Sequence, residues 1–109
     1  MRKTDKKMNK ALVKVLTEVC EIALKDYDGF EWITHFAHYD NFPESLSLVC
    51  IFDTNDQLKR TNASEIVMLI NEKLLSIGIK LNDVRRHVDF DTQENCTNEN
   101  NGNWNTRFK

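Results

Sequence analysis

Phe30-Glu31-Trp32-Ile33-Thr34-His35-Phe36-Ala37-His38-Tyr39, Asp40-Asn41-Phe42-Pro43-Glu44 and Ser45-Leu46-Ser47-Leu48-Val49-Cys50-Ile51-Phe52-Asp53 decide the fold. The first segment is aromatic-rich and alternates imperfectly, which predicts a strand over 30–39. The second gathers Asp, Asn and the only Pro of the chain, a turn composition. The third is a near-continuous apolar run over 45–53, as expected of a central strand. Two strands joined by so short a turn predict an antiparallel hairpin.

Before the hairpin, Met8, Leu12, Val15, Leu16, Val19, Ile22 and Ala23 recur at helical spacing, predicting a helix over 5–26. Thr4 or Asp5 is placed to cap it, and Gly29 to stop the chain beyond it. After the hairpin, Thr54 to Gln57 reads as a cap and a short helical turn. Asn62 with Glu65 three residues on resembles a capping box. The following helix, 63–77, buries Ile66, Val67, Leu69, Ile70, Leu74 and Ile77 and ends at Gly78. Val84, Arg86, Val88 and Phe90 then alternate with Arg85, His87, Asp89 and Asp91, predicting a third strand. Asp91 and Thr92 can cap a short helix ending near Gly102. Residues 95–109 hold six of the twelve Asn, a composition that predicts an irregular tail tied back by Trp104 and Phe108.

The resulting expectation is a single α+β domain, 1–109, ordered α-β-β-α-β with a short C-terminal helix. Two long helices cover one face of a three-stranded sheet, and the other face is left partly bare for a partner. At 109 residues the chain is one domain and large enough to fold without a metal or disulfide. No apolar run approaches the roughly 18 residues needed to span a bilayer, and no apolar stretch follows the basic start as in a signal peptide. The expected partners therefore exclude a membrane. Cys20, Cys50 and Cys96 are odd in number and widely spaced, with no CxxC pair. They fit packing groups in a reducing cytoplasm better than zinc ligands or a disulfide framework.

The net charge is −2, unevenly placed. Residues 1–14 carry six cations against one acid, whereas residues 15–58 carry one cation against nine acids. Lys3, Lys6, Lys7 and Lys10 crowd the positive end of the first helix dipole, a locally unfavourable placement. With Arg85 and Arg86, and Trp32, Phe36 or Tyr39 for stacking, they are the candidate nucleic-acid contacts. A solvated basic face is the simpler account, and a chain acidic overall is not the usual nucleic-acid binder.

Asp89 and Asp91, two apart on a strand, share a face and could share a divalent cation with Asp53 as a third oxygen donor. His35 and His87 are the candidate nitrogen ligands. His38, three from His35, falls on the opposite face of a strand. No glycine-rich phosphate loop or nucleophile elbow accompanies these residues, and no cofactor is expected.

Met1 to Lys7, Thr17-Glu18-Val19-Cys20-Glu21, Asp28-Gly29-Phe30 with Trp32 and Thr34-His35, Asn41-Phe42-Pro43 with Ser45-Leu46, Val49 to Thr54, and Asp83-Val84-Arg85-Arg86 resemble a group of short bacterial proteins labelled Fis-family transcriptional regulators. The resemblance covers nearly the whole chain and implies a cytoplasmic bacterial protein. Fis-type regulators end in a helix-turn-helix that enters the major groove. Here the corresponding region reads as a strand and Asn-rich coil, so no DNA-contacting residue is carried over. The leading expectation is a non-enzymatic interaction or regulatory module that binds a protein partner or a second copy of itself. Nucleic-acid binding and a metal-dependent phosphodiesterase or nuclease are the alternatives.

Overall fold

A computed structural model describes residues 2–109. Helix α1 spans Lys3–Asp26, strand β1 Phe30–Phe36, β2 Ser47–Phe52, helix α2 Asn55–Arg60, α3 Ala63–Ser76, β3 Val88–Thr92, α4 Gln93–Asn100 and α5 Trp104–Arg107. The sheet order is β1-β2-β3, with β1 antiparallel and β3 parallel to β2. This is the expected α+β domain with its hairpin, and the parallel β3 is reached by a crossover through α2 and α3.

The apolar pattern is resolved by a bulge. Phe30 pairs with Phe52 but Trp32 pairs with Ile51, so Glu31 is the extra residue. Phe30, Ile33, Leu48, Cys50 and Phe52 consequently share one face. There they meet Leu12, Leu16, Val19 and Ala23 of α1 and Ile66, Ile70 and Leu74 of α3 in the main core. Trp32, Thr34, Val49, Ile51, Asp89 and Asp91 share the other face by the same register. Burying the fully enclosed Phe52 alone contributes about 2–3 kcal/mol of transfer free energy. At Gly29, φ is +85°, and an added Cβ would fall 2.2 Å from Gln57 Oε1, so glycine is required both for the turn and for space.

Four sequence expectations are corrected. The predicted third strand begins at Val88, because Val84–His87 is a 3-10 turn started by Asp83, whose carboxylate accepts from the Arg85 amide at 3.2 Å. Arg85 and Arg86 thus lie on a turn. Residues 95–109 are not irregular: Thr92 and Asn103 side chains cap α4 and α5, and Asn101 at φ 53° ends α4. The second face of the sheet is not left for a partner, since Trp104 and Phe108 pack on Trp32 and Phe36. Finally, neither long helix has a side-chain cap. Asp5 pairs with Arg2 at 3.1 Å, and Glu65 accepts instead from the Tyr27 hydroxyl at 3.1 Å.

Candidate functional site

The carboxyl ends of the parallel strands β2 and β3 are where an α/β sheet ordinarily takes a ligand. Here that position is filled by the chain itself. Thr92, fully buried, donates through Oγ1 to Asn55 Oδ1 at 2.8 Å and accepts from the Asn95 amide at 3.0 Å. Glu94 accepts from the Asn55 amide at 2.9 Å, and Asn55 Nδ2 donates to Asn95 Oδ1 at 2.7 Å. The start of α2 is capped by its own Thr54 and by Glu94 of α4, and that of α4 by its own Thr92, so the amides of Asn55, Gln57, Glu94 and Asn95 all have partners within the chain.

The candidate metal ligands are dispersed. Asp89 and Asp91 do share a face, but Asp91 is gripped by Arg107, whose Nη2 donates to Oδ1 at 3.1 Å and whose Nε donates to Oδ2. Burial pushes the Asp91 carboxyl up. The hydrogen bonds from Arg107, the Thr92 amide and Asn95 outweigh this and leave its pKa below the usual aspartate value. Asp53 and Asp89 are exposed, Asp53 beyond the end of β2. His87 Nδ1 lies 2.6 Å from the Leu46 carbonyl oxygen, which can only accept, so Nδ1 carries the proton there. His35 sits on the α1 side, half-buried, and burial lowers its pKa. Among the described residues no three His, Cys, Asp or Glu side chains group as a metal site.

The Asp91–Arg107 pair has a pH signature. A carboxyl with a depressed folded pKa stabilises the fold fully above the unfolded aspartate value of about 3.9 and progressively less below it. The wild-type melting temperature should therefore fall more steeply than that of Asp91→Asn between about pH 5 and pH 2. Parallel acid melts by circular dichroism check this, and coincident slopes would remove the pair from the stability account.

The candidate basic contacts are brought to one end of the molecule. Lys3, Lys6, Lys7 and Lys10 are exposed on the first turns of α1. Arg2 lines a cleft with Ala37, His38, Tyr39 and Asp40, and Tyr39 donates to Asn9 Oδ1 at 2.8 Å. Arg86, with Lys80 and His87, lines another cleft against Pro43 and Glu44. Segment 37–46 thus has the start of α1 on one side and the 3-10 turn on the other. Trp32 and Phe36, proposed as stacking surfaces, are occupied by Trp104 and Phe108 at centroid distances of 5.1 and 5.3 Å.

The feature that sequence reading missed lies along α1. Val13, Leu16, Thr17 and Cys20 form one wall of a groove of about 310 Å³, and Ile33, Thr34 and His35 of β1 form the other. Val13 is 45% exposed and Leu24, one turn beyond Cys20 on the same stripe, 55%. Beside them β1 pairs with β2 only, so its outer edge has no neighbouring strand. Burial raises the Cys20 thiol pKa, partly offset by a hydrogen bond from the Ile33 backbone, and pushes Cys50 up to about 12. Both thiols therefore stay protonated at neutral pH and serve as apolar packing. The signal was present in the sequence: Val13, Thr17, Cys20 and Leu24 recur at 4, 3 and 4, a second stripe beside the core stripe. Compared with known proteins, the chain matches no family model, no curated protein and no solved structure.

Proposed function

We propose that this protein is a non-enzymatic interaction module that docks its partner on the α1–β1 groove. The observation that carries the reading is the coincidence of two unpartnered features: the apolar stripe through Val13 and Leu24, and the open edge of β1. Each alone is common on a surface; together they offer a recessed apolar strip beside a strand edge with no strand partner, the ingredients of peptide or helix recognition. A photo-crosslinking residue at Thr17 or at Thr34 should give discrete adducts in cells, whereas one at Asn98 of α4 should give none. Equal labelling at all three positions, or none at any, would overturn the reading.

Nucleic-acid binding is a second reading, favoured by the shared end of Lys3, Lys6, Lys7, Lys10, Arg85 and Arg86 and by the resemblance to Fis-family regulators. Helix α4 carries no Lys or Arg, and the only such residue of α5, Arg107, is held by Asp91, so this reading rests on α1 and the 3-10 turn. Affinity for short DNA or RNA that falls steeply with salt supports it, and no binding at low salt ends it.

A further inference from the structure

The charges flanking the groove specify its occupant. On α1, Lys6 continues the Val13–Leu24 stripe towards the helix start, with Lys3 and Lys10 flanking it, while Glu21 flanks the stripe in the second half. Asp28 and Glu31 follow where the chain turns back into β1, both exposed, Asp28 in a cleft shared with Arg60 of α2 and Glu31 as the extra residue of the bulge. Among the described residues, none of Lys3, Lys6, Lys10, Glu21, Asp28 and Glu31 takes part in an ion pair. Helix α1 is therefore net basic in its first half and net acidic in its second, where Lys25 stands against Glu18, Glu21 and Asp26, and the apolar stripe runs through both halves.

Such a surface is self-complementary in one orientation. Thr17 and Thr34 both line the middle of the groove. A two-fold axis passing between them sets two α1 helices side by side and antiparallel, with the β1 edges facing each other. Val13 and Leu24 then pack against the matching stripe of the other chain. The lysine-rich first half of each α1 then runs along the second half of the other, where Glu18, Glu21 and Asp26 outnumber Lys25. Symmetry makes each contact twice. A parallel arrangement would instead set lysine against lysine, so charge selects the antiparallel one. From this geometry we infer that the occupant of the α1–β1 groove is a second copy of the same chain, held in an isologous, antiparallel dimer. The inference rests on the docking role given above and names the partner.

Sedimentation velocity on the purified chain tests it through charge exchange. Wild type should dimerise reversibly, more weakly at high salt. A Lys6→Glu/Lys10→Glu variant and a Glu21→Lys/Asp26→Lys variant should each weaken self-association at least tenfold, since each abolishes the attraction between the two halves of α1 at both symmetric contacts. Mixing the two variants should restore a dimer, because each reversed end then meets its opposite. All four positions are surface residues, and far-ultraviolet circular dichroism verifies the fold of each variant. A wild type monomeric at all concentrations, variants that dimerise like wild type, or a mixture that stays monomeric would each overturn the inference. The docking role fails separately. Adducts at Thr17 and Thr34 to a different protein, with a monomeric wild type, sink only self-pairing. Absence of both adducts and dimer sinks both.

Discussion

Trp104→Ala should cost about 3 kcal/mol of stability, read as a lower midpoint in urea. The indole packs edge-on to Trp32 at 5.1 Å and stacks on Phe108 at 5.3 Å, and its Nε1 donates to Gln93 Oε1 at 3.1 Å. Helix α5 is four residues long, too short to persist without tertiary contacts. Removing the indole therefore frees Phe108 and loosens Arg107 from Asp91. The amides of α5 should exchange faster with solvent, and Ile51, fully buried in the native protein, should become reachable by an apolar dye. A loss below about 1 kcal/mol would mean that the ion pair alone holds this segment.

Thr92→Val, nearly the same shape, should cost about 2 kcal/mol without changing the helical content. Among the described residues Thr92 is the one buried polar side chain, and its hydroxyl both donates to Asn55 and accepts from the Asn95 amide. Valine leaves Asn55 Oδ1 and that part-buried amide without their partner. Thr92→Ser keeps both hydrogen bonds and should recover most of the loss, leaving only the cost of the missing methyl group. If serine were no better than valine, packing rather than hydrogen bonding would explain the site. The comparison can be made by urea titration of the three proteins.

Periodicity made the long elements readable because α1 and α3 bury one face each, and a buried face writes itself as a repeat. The bulge at Glu31 explains why the β1 pattern looked imperfect: one extra residue shifts Trp32 to the opposite face from Phe30. The third strand was read four residues early. Val84 to His87 alternate like a strand, but the Asp83 carboxylate draws the Arg85 amide into a turn, a local contact that alternation does not encode. The tail was misread through its composition. Asparagine is poor inside a helix, yet Asn103 sits at an N-cap and Asn101 at a left-handed C-cap, where it is favoured.

At the site, the pairing of Asp89 and Asp91 on one face was legible, because period two follows from the strand alone. Their separation in role was not, since Arg107 reaches Asp91 only after the tail folds over the sheet. The α1–β1 groove was hidden for a similar reason. The second stripe is visible along α1, but only the edge position of β1 leaves it without a cover.

The two terminal segments of the described chain each touch residues 36–40. Arg2 lies against residues 37–40, while the Phe108 ring rests 5.3 Å from that of Phe36, at the same end of β1. Residues 36–40 thus hold a contact from each terminal segment, so a change in that short stretch should disturb the start of α1 and the end of α5 together.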